Sequence, residues 1–226
     1  MWPKKVNPIG FRTGVNGLWR TESQCYGKNF TNPKRLYKKI LPSTNNMHTL
    51  LESKFFLKGE TQSKIKDNKW QYYMQYVPLL PQNSLDIQVD NFLSSSMSSI
   101  EIKTYNATFW YQNGALICAF IKCALKKGIA FRKIVSTMKM LFSNKNKHKV
   151  VLKTVCGIQA FEFTGIKIKY VGRFGGSRSR MSNSIVFRIG AVSLQKLNTY
   201  IEFYESPLYT KQGVCNLQVW MAYKII

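Results

Sequence analysis

The sequence predicts an α+β protein whose C-terminal part is a two-layer domain of two helices packed on a four-stranded sheet. Two observations predict this class. Residues 115–142 carry apolar side chains at the spacing of amphipathic helices, and residues 165–222 carry apolar side chains that alternate with polar ones, as in strands with one buried face. Helices followed by a run of strands favour an α+β arrangement over alternating βα units.

Two helices are predicted in the first of these segments. One runs from Ala115 to Lys127, where Gly128 supplies the stop and the terminal lysines complement the carbonyl end of the helix dipole. The other runs from Phe131 to Phe142 with the same apolar spacing. Its polar face carries Arg132, Lys133, Ser136 and Lys139. Because the connection is short and contains glycine, we expect the two helices to be antiparallel neighbours.

The strands are predicted from alternation with a period of two residues. After a polar, basic break at residues 144–149, the alternation recurs in separate segments. Their apolar members are Ile166, Ile168 and Tyr170; Ile185, Phe187 and Ile189; Ile201 and Phe203; and Leu217, Val219 and Met221. A similar alternation at Ile100–Tyr105, preceded by a serine-rich stretch, predicts the last strand of an N-terminal domain.

The predicted division of the chain follows from these elements. Residues 1–44 form a basic arm in which prolines interrupt regular structure, residues 45–106 form the N-terminal domain, and residues 107–226 form the C-terminal domain. Within the arm, the cationic stretch Lys34–Lys39 favours contact with phosphate over a solvated helical face. Its predicted contact residues are Lys34, Arg35, Lys38 and Lys39.

The net charge of the chain narrows the possible classes of function more than its length does. In the 226 residues, 34 Lys and Arg against 10 Asp and Glu give a formal net charge of +24 at pH 7. Such a surface repels itself, so we expect a polyanionic partner. The apolar run Ala115–Leu125 is too short to cross a bilayer and is interrupted by Lys122. Nucleic acid is therefore favoured, and a peripheral protein of anionic membranes is the more distant alternative.

Little in the sequence favours catalysis. His48 and His148 lie in no metal-ligand spacing, the five cysteines form no Cys-x-x-Cys pair, and no nucleotide-binding loop occurs. We expect no catalytic residue, no metal, no cofactor and no small-molecule substrate. The alternative from another class is a lyase or nuclease acting on damaged DNA. It would need a nucleophilic lysine or paired carboxylates in a cleft.

A glycine-rich turn is the sharpest local motif. Gly172–Gly176 follows a predicted strand, and its glycines allow backbone amides to approach a phosphate closely. A simple strand-end turn is the plainer alternative, and the arginines on and after the turn favour RNA contact over it. The predicted RNA-binding residues here are Arg173, Gly175, Gly176, Arg178 and Arg180.

Two parts of the chain resemble one known family. Lys5–Gly14, with Trp19 beyond it, and Gly165–Gly176, followed by the pattern from Arg188 to Trp220, resemble small-subunit ribosomal protein three, a universal family. The resemblance covers residues 1–20, 100–142 and 164–222. It implies a structural RNA-binding protein of the small-subunit head. The implied partners are small-subunit ribosomal RNA, mRNA, and the neighbouring small-subunit proteins ten and fourteen.

The resemblance has consequences for both halves of the chain. It implies a type II KH domain in the N-terminal half, whose Gly-x-x-Gly loop clamps a nucleic-acid backbone. No such motif occurs between Ile40 and Tyr105, so we expect a reduced KH-like region at residues 45–106. The stretch between Phe142 and Gly165 also exceeds what the family uses there, and we expect an insertion near residues 143–156.

Site residues follow from the same resemblance. In the family, a basic cluster on the second helix lines the channel by which mRNA enters the subunit. Arg132 and Lys133 match that cluster, Ser136 stands at its third basic position, and Lys139 is a candidate substitute one turn on. The N-terminal arm is also predicted to bind RNA, through Lys4, Lys5, Asn7, Arg12 and Trp19.

Composition also bears on location. The chain is rich in Lys, Asn, Ile, Phe and Tyr, which have AT-rich codons, and the N-terminal signature begins almost at Met1 without a presequence. Both observations favour a protein encoded and used in a mitochondrion. An AT-rich genome outside organelles would give a similar composition.

Overall fold

The computed structural model describes residues 6–19, 21–23, 56–66, 69–78, 100–143, 149–173, 181–210 and 213–226. The chain divides into two compact units. The N-terminal unit is Trp19–Leu116, and the C-terminal unit combines Met1–Leu18 with Ile117–Ile226. The predicted boundaries after residues 44 and 106 stay predictions.

The described part of the N-terminal unit contains a four-stranded mixed sheet. Its strands are β1 (Thr21–Ser23), β2 (Phe56–Lys66), β3 (Lys69–Pro78) and β4 (Ile100–Asn106). They lie in the order β1-β2-β3-β4, with β2 and β3 antiparallel and the outer pairs parallel. The strand predicted at Ile100–Tyr105 is confirmed as β4. Alternate residues of β3 are buried, as expected for a strand with one covered face: Tyr72, Met74 and Tyr76.

Two helices precede the C-terminal sheet, as the periodicity predicts. They are α2 (Gly114–Lys126) and α3 (Phe131–Ser143), and a short helix α1 (Pro8–Arg12) lies near the start of the chain. Before α2, the Asn113 side chain accepts a hydrogen bond from the Ala115 N–H at 3.1 Å and so caps the helix. After α2, Gly128 adopts φ +82°, a left-handed conformation that favours glycine, and thus ends the helix.

The C-terminal sheet is antiparallel throughout. Its strands are β5 (Lys149–Thr154), β6 (Gly157–Gly172), β7 (Asn183–Gly190), β8 (Thr199–Thr210) and β9 (Gly213–Ile225). The order is β5-β6-β9-β8, and β7 also pairs with β6, on the side that β9 leaves open. The first part of β6 therefore pairs with β5 and the second part with β7.

The α+β class is confirmed, and the strand count differs from the prediction. Among the described residues, the C-terminal sheet has five strands rather than four. The additional strand, β5, falls entirely within the expected insertion at residues 143–156 and forms a hairpin with the start of β6. Its sequence places two valines and a leucine in succession, so the period-two signal that identifies a strand is weak there.

One face of the C-terminal sheet is covered by α3. The Phe131 ring lies 4.9 Å from that of Tyr170, and the Phe142 ring lies 5.3 Å from that of Phe163, both between centroids. The sheet residues on this face are almost fully buried: Ile166, Ile168, Leu217, Val219 and Met221. Burial of a large aliphatic side chain stabilises by about 1.5–3 kcal/mol, so this layer holds the unit together.

The described residues cover the opposite sheet face only in part. After β7 the chain turns at Gly190, which has φ +69°, and passes close over Gly165. A Cβ atom on Gly165 would lie 2.7 Å from the Ile189 carbonyl oxygen, so this crossing requires glycine. Val192 and Leu194 then pack on a cluster in the sheet. Its buried members are Ile201, Trp220 and Ala222.

Candidate nucleic-acid interface

The outer face of α3 carries a row of cations. Arg132, Lys133 and Lys139 are exposed, whereas the inner face of the helix packs on the sheet. Because helical positions i, i+4 and i+7 share one stripe, Arg132, Ser136 and Lys139 follow one another along α3. At a rise of 1.5 Å per residue, Arg132 and Lys139 are separated by about 10 Å along the axis. The helix thus brings together the residues predicted to contact mRNA.

Ser136 and Lys139 differ in what their side chains contact. The Ser136 hydroxyl donates a hydrogen bond to the Lys133 carbonyl at 2.7 Å, so it is tied to the helix backbone. The Lys139 ammonium nitrogen lies 5.7 Å from the centroid of the Phe187 ring on β7, a cation–π contact. Lys139 therefore leans toward the sheet, which limits its capacity to replace a cation at position 136.

Arg12 lies inside the fold. Its side chain is only 2% exposed. Its Nε donates to the Thr199 carbonyl at 2.8 Å, and its Nη2 donates to the carbonyls of Lys196 at 2.7 Å and Leu194 at 3.0 Å. Longer bonds of 3.3 Å go to the carbonyls of Pro8 and Ser193. The guanidinium therefore clamps the segment between β7 and β8 onto α1.

This clamp corrects the prediction that Arg12 contacts RNA. A guanidinium turned onto backbone carbonyls within the fold is not accessible to a phosphate. Burial lowers the pKa of Arg12, and the charge that remains makes its hydrogen bonds to the carbonyls stronger than neutral ones. The arginine of the N-terminal signature thus stabilises the fold of the C-terminal unit.

The other predicted residues near the start of the chain differ from Arg12. Asn7 is exposed and caps α1, since its side-chain oxygen accepts a hydrogen bond from the Ile9 N–H at 3.0 Å. Trp19 is 71% exposed, so its indole ring is accessible to a partner. RNA contact by Asn7 and Trp19 stays a prediction.

Most of the remaining predicted contacts lie outside the described residues. They are Lys4, Lys5, Lys34, Arg35, Lys38, Lys39, Gly175, Gly176, Arg178 and Arg180. Arg173 is described: it is half-buried and directly follows β6, at the end of the strand from which the chain leads to β7. Its contact with RNA also stays a prediction.

The sheet face opposite α3 carries cations that the sequence analysis did not single out. Lys167 and Lys169 on β6 share this face with Arg188 on β7, because Lys167 lies directly opposite Arg188 in the strand register. Lys167 is buried, with its ammonium nitrogen 4.7 Å from the centroid of the Trp220 ring, whereas Arg188 is exposed. Strand alternation identifies the two lysines as the polar side of β6, but it does not reveal which residues of β7 lie beside them.

Two buried groups have shifted acidities. Burial raises the pKa of Cys118 to about 12, so this thiol is protonated at neutral pH and is a poor nucleophile. Burial and a hydrogen bond to Cys215 raise the pKa of Tyr170. Within the described ranges, no cluster of three or more His, Cys, Asp or Glu side chains is placed to hold a metal ion. The helices described are also too short or too polar to cross a membrane.

The chain is similar to several curated proteins, although no protein-family model matches it. It is 26% identical over 223 residues to small ribosomal subunit protein uS3m of Chondrus crispus, covering 96% of this chain and 92% of the relative. It is 25% identical over 237 residues to small ribosomal subunit protein uS3c of Angiopteris evecta, covering 96% and 97%. The protein of the same name from Cyanophora paradoxa is 25% identical over 232 residues, covering 96% and 92%.

Proposed function

We propose that the chain is an organelle-type member of the ribosomal protein uS3 family and a structural constituent of the small subunit of a mitochondrial ribosome. The observation that carries the proposal is the extent of the similarity, which spans 96% of the chain rather than a single motif. The net charge of +24 supports it independently, because ribosomal RNA is a polyanion that would neutralise such a surface.

Ribosomal RNA is the proposed main partner. Phosphate contacts by lysine and arginine supply affinity and fix orientation on the RNA, without requiring a base-specific site. The arm around Lys34–Lys39 and the loop at residues 173–180 are proposed to supply such contacts in the head of the subunit. Small-subunit proteins ten and fourteen are the proposed protein neighbours. The role is structural, and no reaction is assigned to the chain.

The outer face of α3 is proposed to contact mRNA as it enters the subunit. Three properties of the helix support this: its inner face is fixed to the sheet, Arg132 and Lys133 are exposed, and Lys139 lies on the same stripe as Arg132. A rigid cationic face of this kind can hold a phosphate backbone without reading its sequence. With Ser136 bonded to its own helix, we expect weaker unwinding of structured messages than a third basic residue would give.

The location in a mitochondrion is supported by the similarity to the uS3m protein of Chondrus crispus and by the amino-acid composition. The similarity to uS3c proteins makes the chloroplast the competing organelle.

Sedimentation of a tagged chain tests the proposal. We expect the chain to migrate with small ribosomal subunits from purified mitochondria and to co-purify with small-subunit ribosomal RNA. Chloroplast fractions, where the source has them, distinguish the two organelles. Recovery of the chain as a free monomer at the top of the gradient, without RNA, would contradict the proposal. Lysine-dependent cleavage of abasic DNA by the purified chain would instead support the enzyme alternative.

A further inference from the structure

We infer that the uncovered part of the sheet face opposite α3 is a second RNA-binding surface, on which Lys169 and Arg188 contact the phosphate backbone of a ribosomal RNA segment. The inference rests on the proposed function, because it takes ribosomal RNA as the partner. We call this surface the basic sheet face. Its members are Lys167 and Lys169 on β6, Val186 and Arg188 on β7, and Asn216 and Gln218 on β9.

The strand register concentrates three cations on this surface. Lys167 lies directly opposite Arg188, and Lys169 lies directly opposite Val186. Directly opposite residues in antiparallel strands are about 5 Å apart and diagonal ones about 7–8 Å apart, so Lys169 is a diagonal neighbour of Arg188. Lys167 points to the Trp220 ring. Lys169 is half-buried and Arg188 is exposed, so these two are placed to meet a ligand.

Two carboxylates lie on the same face among the described residues, Glu162 and Glu205, and neither is directly opposite Lys169 or Arg188 in the strand register. The backbone of Glu205 is two strands away from that of Lys169, about 10 Å, and the Glu205 carboxylate accepts hydrogen bonds from the amides of Asn216 and Gln218. Glu162 lies toward the far end of β6, beside Lys224. Like charges directly opposite one another destabilise a sheet, and a bound polyanion removes that cost.

The described residues leave this surface open. The segment that follows β7 crosses the sheet at Gly165 and packs on Trp220. Beyond that crossing, toward the ends of β6 and β7 that lead to the predicted RNA-binding loop, Val186 is 48% exposed and Arg188 is exposed. The basic sheet face is therefore built on the two strands that lead into and out of a segment that the sequence independently predicts to contact RNA.

The chemistry of the surface suits RNA better than a protein partner. The centre of a protein–protein interface is depleted of charged residues, whereas this centre holds a lysine and an arginine. Lysine and arginine side chains bind phosphate groups of the nucleic-acid backbone without a base-specific site. A sheet face fixed by packing on its other side positions these groups before the RNA arrives.

The test measures the salt dependence of binding between the full chain and purified small-subunit ribosomal RNA. The variant Lys169→Gln with Arg188→Gln removes two cations from the basic sheet face. The matched control, Lys153→Gln with Lys224→Gln, removes two exposed cations elsewhere on the same sheet. If both residues contact phosphates, the slope of log K against log salt falls by about 1.4–1.8 in the first variant, since each contact contributes about 0.7–0.9. We expect no change in the control.

Each outcome decides the inference. An unchanged slope in the first variant, or an equal fall in both variants, would overturn it while the proposed function stands. Failure of the unchanged chain to bind the RNA would overturn both. Acetylation of the unchanged chain gives a second measurement that does not depend on the folding of a variant: Lys169 should be protected in the RNA complex, and Lys153 should react. Protection of Lys169 only in complete subunits would assign the face to a protein and overturn the inference.

Discussion

Replacement of Arg12 tests the clamp between α1 and the segment that precedes β8. The variant Arg12→Ala removes a guanidinium whose three shortest hydrogen bonds, at 2.7, 2.8 and 3.0 Å, go to backbone carbonyls. A typical intramolecular hydrogen bond contributes about 1 kcal/mol net, and one to a charged group contributes more. We therefore expect the free energy of unfolding of the C-terminal unit to fall by about 3 kcal/mol.

Urea denaturation, followed by tryptophan fluorescence, measures this loss. With a slope of roughly 1–3 kcal/mol per molar urea, a loss of this size moves the midpoint by more than about 1 M. Arg12→Lys is the informative companion, because it keeps the charge but replaces the planar fork of donors by one ammonium group. It should lose most of the same stability. The exposed Arg132→Ala is the matched control and should change the free energy of unfolding by less than about 0.5 kcal/mol.

A clamping role and an RNA-binding role for Arg12 predict opposite results. If the residue clamps the fold, Arg12→Lys lowers the midpoint and leaves the salt dependence of RNA binding unchanged in the remaining folded chain. If it contacts RNA, Arg12→Lys leaves the midpoint unchanged and alters RNA binding. An unchanged midpoint in both Arg12 variants would refute the reasoning.

Three further predictions concern other parts of the chain. Arg132→Ala with Lys133→Ala should leave assembly into the small subunit intact and slow translation of structured messages, measured by elongation rates on hairpin-containing templates. Gly165→Ala should lower the free energy of unfolding by about 1–3 kcal/mol, because the added methyl group would overlap the backbone that crosses it. Cys118 should resist alkylation between pH 7 and 9 in the folded chain, because its pKa of about 12 lies above that range. Folding raises the pKa of Cys118, so the buried neutral thiol contributes its full stabilisation at pH values below the ordinary thiol pKa. This stabilisation is lost as the pH rises above that value, because the unfolded chain loses the proton first. Urea midpoints at pH 8 and 10 measure the loss.

Each of these predictions has a control within the chain. Lys126→Ala with Lys127→Ala removes two exposed cations near the end of α2 and should leave the translation of structured messages unchanged. Gly10→Ala places a methyl group where no atom lies within 4 Å, so stability should not fall. The exposed thiol of Cys156 should react with increasing speed over the pH range in which Cys118 does not. Equal alkylation of both thiols in the folded chain would contradict the burial of Cys118.

The sequence predicted those elements whose physical signal is local. Helices α2 and α3 follow from periodic apolar residues, and the end of α2 at Gly128 follows from the freedom of glycine to adopt a positive φ. The sequence of strand β5 does not alternate strictly between apolar and polar residues, so it predicts only an insertion there. Its place in the sheet depends on pairing with β6, which periodicity within one segment does not contain.

The candidate site was predictable to a lesser degree, for a related reason. A basic residue on a helix is assigned to the outer face by its position, so Arg132 and Lys133 could be identified. Arg12 could not be separated from an RNA-binding arginine, because its partners are carbonyl oxygens more than 180 residues away in the chain. The adjacency of Lys167 and Arg188 likewise depends on the register of two strands. The periodicity of a helix or strand indicates on which face a side chain lies. Contacts between residues distant in sequence determine which groups surround the side chain there.

The clamp made by Arg12 also governs the order in which a newly made chain can fold. Residues 6–18 are synthesised before residues 193–199, whose carbonyls Arg12 binds more than 180 residues further along the chain. Contacts of such large sequence separation form late and slow the folding of a domain. During synthesis, residues 6–18 therefore remain without these contacts until residues 193–199 have been made. A chain released early would lack this closure, and its first segment would be open to proteases.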